Sequence, residues 1–144
     1  MEILANFGER LKDLLFDSQL SAEQFAQTIG VSKNTVNCWL RGSMQISLAN
    51  LILIADYFKC SLEYLSGKIE LNDIFTPKPI QNFGTQLRAV LKLRGFTTYS
   101  LRKISRIDGG YFHKWDKGQQ PNLATLIELS NILDCTIDYL VGRE

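Results

Sequence analysis

Apolar residues recur along this chain at helical spacing, and they do so in two rounds. Phe7, Leu11, Leu14 and Leu15 stand at i, i+4, i+7 and i+8, which is one face of a helix. Phe83, Leu87, Val90 and Leu91 repeat that spacing 76 positions on. Leu48, Leu51, Ile52, Ala55 and Phe58 mark the inward face of a later helix, matched by Leu123, Leu126, Ile127, Ser130 and Leu133. Short polar residues precede these runs and predict where helices start. Asn6 and Asn82 are expected to cap the first helix of each round, and Ser21 with Gln24 has the capping-box spacing for a second. Ser32 is suited to cap a third helix, Ser47 and Asn122 a fourth, and Ser61 and Thr136 a short fifth. Gly67 and Gly142 stand where a C-terminal glycine cap belongs. No segment alternates with the period of a strand. The pattern predicts an all-α chain of two tandem five-helix domains.

The two rounds also match residue by residue. "NFGERLKDLL" (6–15) aligns with "NFGTQLRAVL" (82–91), and "NCWLRG" (37–42) with "HKWDKG" (113–118). "NLILIADYFKCSLEYLSG" (50–67) aligns with "TLIELSNILDCTIDYLVG" (125–142) after the loss of one residue near 43–47, which predicts a loop there. This is a single duplication rather than a solenoid. The expected division is a first domain over 1–67, a linker over 68–81 and a second domain over 82–144. The linker holds two of the three prolines, and its "TPKP" is expected to be extended. Its "IELNDIF" has enough apolar residues to pack on something.

Composition narrows the function. No apolar run approaches a membrane span, and "MEILANFGER" has neither a basic start nor a cleavable signal pattern, so a soluble cytoplasmic protein is expected. Three cysteines without a CxxC pair argue against a disulfide framework and a structural zinc site. His113 is the one histidine, so no metal and no cofactor is expected. Trp39 and Trp115 are expected in the cores, and Cys60 and Cys135 as small buried residues. The carboxylates are scattered over helix surfaces, and no nucleophile–base pair has a recognisable context, so no enzyme is expected. The fifth helix of the second round stands at the end of the sequence, so no separate effector domain is expected.

One stretch carries residues that a core does not need. In "FAQTIGVSKNTVNCWLRG" (25–42), Ala26 is small enough for two helices to cross closely, and Gly30 permits a positive φ in the turn. Val31, Val36 and Trp39 are apolar anchors. Lys33, Asn34, Asn37 and Arg41 share the opposite face. Asn suits adenine, and Lys or Arg suits guanine or phosphate. Here the chain resembles the lambda-repressor/Cro-like (Xre-type) helix-turn-helix proteins, which are five-helix DNA-binding domains. The resemblance covers nearly all of 6–67 and 82–142. It implies a recognition helix at about 32–40, with Ser32, Lys33, Asn34, Asn37 and Cys38 facing the major groove of double-stranded DNA and Arg41 near the backbone.

The second round departs from that pattern. Arg102 and Arg106 stand where Ala26 and Gly30 stand, and "DGGYFHKW" (108–115) replaces "SKNTVNCW". Glycines inside a helix cost roughly 1 kcal/mol each, and a non-glycine in a left-handed turn costs about 1–2 kcal/mol. A rebuilt turn or a late-starting third helix is therefore expected. Charge favours this half: residues 1–75 carry six Lys/Arg and nine Asp/Glu, residues 76–144 ten and six. Arg102, Lys103, Arg106, His113, Lys114 and Lys117 gather around its corresponding face. Gly109 and Gly110 would let phosphate approach the backbone at a helix start, with Asp108 competing for the same N–H groups.

The resemblance implies a sequence-specific transcriptional regulator, more commonly a repressor than an activator. The first domain would read bases and the second would add phosphate or base contacts. Fourteen extended linker residues reach about 46–50 Å, enough for half-sites about 34 Å apart. One chain would then imitate a dimer, or a homodimer would present four modules. The rival expectation keeps DNA binding in the first domain alone and makes the second a dimerisation or protein-partner module.

Overall fold

The computed structural model describes residues 2–72 and 75–144, and its regular elements there are ten α-helices. The chain divides into two compact units, Met1–Thr76 and Pro77–Glu144. The first holds α1 (Glu2–Asp17), α2 (Ala22–Ile29), α3 (Lys33–Arg41), α4 (Leu48–Phe58) and α5 (Leu62–Leu65). The second holds α6 (Phe83–Leu93), α7 (Thr98–Ile104), α8 (Gly109–Asp116), α9 (Leu123–Leu133) and α10 (Ile137–Val141).

The local signals act where short polar residues stand. Ser21 and Gln24 form a reciprocal capping box. Ser32, Ser47, Ser61, Asn82, Asn122 and Thr136 each accept a backbone N–H at the third position of the helix that follows. Asn6 does not do so. It lies exposed inside α1, which begins four residues earlier and buries Leu4. The core of the first unit gathers Phe7, Leu11, Phe25, Val36, Trp39 and Leu65, with Phe7 and Trp39 edge to face at 6.5 Å. The second unit repeats this with Phe83 and Trp115 at 5.1 Å. On α4 and α9 the innermost side chains include Ile54 and Leu129, while Ile52, Phe58 and Ile127 are only half-buried. Cys60 is buried, but Cys135, its counterpart by alignment, is half-buried.

The duplicated "SLEYLSGK" and "TIDYLVGR" segments do the same physical job in both units. The residue at position 10 or 86 of the first helix reaches the fifth helix: Arg10 Nε donates to the Tyr64 carbonyl at 3.2 Å, and Gln86 Nε2 donates to the Tyr139 carbonyl at 3.2 Å. The acid of the fifth helix then meets the base five residues on. Glu63 and Lys68 pair at 3.7 Å, part exposed, while Asp138 and Arg143 pair at 2.7 Å with both side chains buried. Burial also holds the Tyr64 phenol above its ordinary pKa.

The 68–81 stretch is tied at several points. Arg10 Nη2 donates to the Ile69 carbonyl at 3.0 Å and pairs with Glu70 at 3.3 Å. Phe75 N–H donates to the Lys59 carbonyl, and Lys78 N–H to the Arg143 carbonyl. Ile69 and Leu71 remain exposed and Phe75 is half-buried; Asp73 and Ile74 lie outside the described residues.

Candidate DNA interface

In the first unit α2 ends in a tight left-handed turn. Gly30 has φ 81° and its N–H donates to the Ala26 carbonyl at 2.9 Å; the Val31 N–H follows to the same oxygen at 3.0 Å. No Cβ penalty arises at a glycine there. Ala26 is buried, so α2 packs directly on α3. Val36 and Trp39 then face the core. That orientation leaves Ser32, Lys33, Asn34 and Arg41 exposed, with Asn37 and Cys38 half-buried on the same side. The Ser32 hydroxyl is partly spent on structure: it accepts the Thr35 N–H at 3.0 Å and meets the Thr35 hydroxyl at 2.8 Å. Arg41 Nη2 lies 3.4 Å from Cys38 Sγ, which tethers a long cationic side chain over the last turn of α3.

Sequence reasoning missed what fixes the pose of α3. Gly8, inside α1, leaves no room for a side chain: an added Cβ would stand 2.7 Å from the Leu40 carbonyl oxygen and 2.9 Å from that of Trp39. Gly42, at φ 69°, closes α3 against the backbone of Leu4 and Ala5. Gly84 repeats the arrangement in the second unit, where an added Cβ would stand 3.0 Å from the Asp116 backbone nitrogen. There Asn82 Nδ2 donates to the Trp115 and Asp116 carbonyls, each at 3.2 Å. The signal was available. A glycine kept inside a helix in both copies costs about 1 kcal/mol, so something must require it.

The second unit rebuilds its turn without any left-handed residue. α7 stops at Ile104, and Ser105 turns to extended backbone at φ −132°, ψ 172°. Its hydroxyl donates to the Leu101 carbonyl at 2.8 Å and accepts the Ile107 N–H at 3.2 Å. The Arg106 N–H finds Glu128 Oε1 at 3.1 Å. Arg106 therefore escapes the strain expected at the Gly30 position. The third helix does not start late: α8 begins at Gly109, because Asp108 caps it by accepting the N–H groups of Gly110 at 2.8 Å and Tyr111 at 3.4 Å. The anion-favouring N–H of Gly110 is thus met by the chain's own carboxylate. Arg102, Arg106, His113, Lys114 and Lys117 are exposed, with Phe112 and Trp115 buried behind them. Lys114 Nζ sits 5.7 Å from the centre of the Tyr111 ring. Asp116 at the end of α8 pairs with Arg88, whose hydrogen bond holds its carboxyl below the usual carboxylate range.

Two five-helix units, each with a helix, a turn and an exposed third helix, define a tandem helix-turn-helix protein. Comparison with known proteins agrees. A model described as helix-turn-helix matches residues 17–65, and one described as the Cro/C1-type HTH DNA-binding domain matches residues 86–144. The chain carries two Cro/C1-type helix-turn-helix domains in tandem, a kind of domain that belongs to DNA-binding regulators and not to enzymes. A curated relative from Haemophilus influenzae, named an uncharacterized HTH-type transcriptional regulator, is 35% identical over 75 residues. That match spans 51% of this chain and 31% of the relative's own length. No solved structure matches. No helix among the described residues is long and apolar enough to cross a membrane.

Proposed function

We propose that this chain is a cytoplasmic, sequence-specific regulator of transcription that binds double-stranded DNA and represses by occupying an operator. The observation that carries the reading is the division of α3. Val36 and Trp39 anchor one side in the core, and Ser32, Lys33, Asn34, Asn37 and Arg41 line the other beyond a tight Gly30 turn. A helix held in this way can enter the major groove with amide and ammonium groups toward base edges. Asn37 and Asn34 are the base readers, Lys33 and Arg41 the phosphate or guanine contacts, and Cys38 a small filler between them. In the second unit His113, Lys114 and Lys117 on or after α8 supply further contacts, with the backbone at Gly109 and Gly110 in a lesser role because Asp108 occupies the Gly110 N–H. Phosphate contacts position a protein and base contacts specify sequence.

Selection of bound fragments from a random duplex pool at near-physiological salt tests this. Two motifs at fixed spacing would assign both units to DNA. One motif would leave the first unit as sole reader. No enrichment would refute the proposal. The second of these outcomes belongs to a rival that one observation favours. Tyr99, Ile104 and Tyr111 are exposed among the cations of the second unit, as a dimerisation or protein-partner surface would require.

A further inference from the structure

The position where the first unit closes its helix-turn-helix is where the second unit opens a groove. Ala26 and Gly30 let α2 and α3 touch. Arg102 and Arg106 take their places, and α7 stands off from α8. The resulting space is about 300 Å³ and is lined chiefly by Tyr99, Arg102, Lys103, Arg106, Ile107 and Asp108. Three cations converge on it. Among the described residues, none of the three has a carboxylate within ion-pairing distance. The two carboxylates nearby are held by backbone instead: Asp108 by the N–H groups of Gly110 and Tyr111, and Glu128 by the N–H of Arg106. A Cβ at Gly109 would stand 3.4 Å from Arg102 Cζ and Nη1, ordinary contact distance, which shows that the guanidinium lies over the start of α8. Lys103 Nζ sits 4.8 Å from the centre of the Tyr99 ring, which holds the ammonium at the rim.

We infer that this groove binds a small phosphomonoester, of the size of a sugar phosphate or nucleoside monophosphate. Such a group is dianionic and offers three terminal oxygens, which two guanidinium forks and an ammonium can share. The volume is at the lower end for small-molecule sites, and the exposed ring of Tyr99 lines the groove for the organic part. The inference goes beyond the DNA-binding reading, and the two make separable predictions for the same cations, since a phosphate can also come from a duplex backbone.

The test titrates the full chain with adenosine 5′-monophosphate, with ribose 5-phosphate and with unphosphorylated adenosine, following amide resonances of Arg102, Arg106 and Gly109. Both phosphomonoesters should give saturable shifts, and adenosine should give none. Arg102→Ala with Arg106→Gly, which restores the residues of the first unit, should weaken binding roughly tenfold or more. Lys103→Ala, at an exposed position, gives the same readout should the double variant not fold. Absence of saturation up to about 10 mM, or equal binding by the variants, would overturn the inference. A second arm measures the salt dependence of duplex binding by the same variants. A slope reduced by about one per cation lost, without phosphomonoester binding, would assign the groove to DNA backbone and overturn the inference while leaving the DNA reading intact. Phosphomonoester binding with an unchanged slope would establish the groove and remove it from the DNA interface.

Discussion

Replacing Gly8 by Ala sets two physical effects against each other with opposite signs. Helix propensity alone says that the change stabilises α1 by about 1 kcal/mol. Packing says the reverse. The new Cβ would stand 2.7 Å from the Leu40 oxygen, 2.9 Å from the Trp39 oxygen and 3.3 Å from the Leu40 carbon. All three are backbone atoms, so no side chain can rotate away. Relief requires α1 to back off from α3 by about half an ångström, which on a dispersion well forfeits about a quarter of each contact across the joint. The joint includes Phe7 against Trp39, both fully buried. Overpacking costs about 1–3 kcal/mol, and two contacts under 3.0 Å to fixed backbone put this case in the upper part of that range, so the expected net loss is about 1–2 kcal/mol. Urea denaturation followed by resolved amide resonances of the first unit measures it. Thermal melting should fall by about 4–8 °C per kcal/mol lost. An unchanged or raised midpoint would refute the claim that this glycine exists to let α1 meet the carboxyl end of α3. DNA affinity offers a second reading of the same variant. α3 is held at its C-terminal end by this contact, so Gly8→Ala should weaken binding by more than its effect on folding accounts for.

Three further outcomes follow from the geometry. Arg143→Ala should cost the second unit about 3–5 kcal/mol, because it takes the guanidinium from a buried Asp138 carboxylate, whereas Lys68→Ala, at the part-exposed equivalent, should cost under about 1 kcal/mol; comparative denaturation of the two variants checks the contrast. The stability of the first unit should be fully present below pH 10.0, the ordinary tyrosine value, and decline as pH rises through the higher pKa of folded Tyr64; a midpoint unchanged in alkaline buffer, relative to Tyr64→Phe, would contradict that. Asn37→Ala should relax sequence preference at one operator position by roughly 1–3 kcal/mol, and an unchanged selected motif would remove Asn37 from the base readers.

Sequence reading fell short at Asn6, Arg106 and Cys135. Asn6 has the chemistry of a cap and the right spacing, yet α1 begins at Glu2, because burial of Leu4 extends the helix past it. Arg106 stands in register with a left-handed glycine, yet the chain avoids that conformation by ending α7 early and giving the Arg106 N–H to Glu128, 22 residues away. Cys135 matches Cys60 by alignment but not in burial. For Arg106 the local rule was applied correctly, and a residue distant in sequence decided the outcome.

What the sequence determined by itself was the set of helices, the duplication and the face of α3 that remains polar. Those depend on spacings of three and four residues and on caps that bond within one turn, so a single stretch of chain contains all the participants. Only the tertiary structure decided why Gly8 and Gly84 must be glycine, which acid–base pair is fully desolvated, and that two arginines open the second helix-turn-helix into a groove. Those depend on how closely two helices approach and on how much water is excluded between them. Both are set by the packing of whole elements against one another, and no local pattern records them.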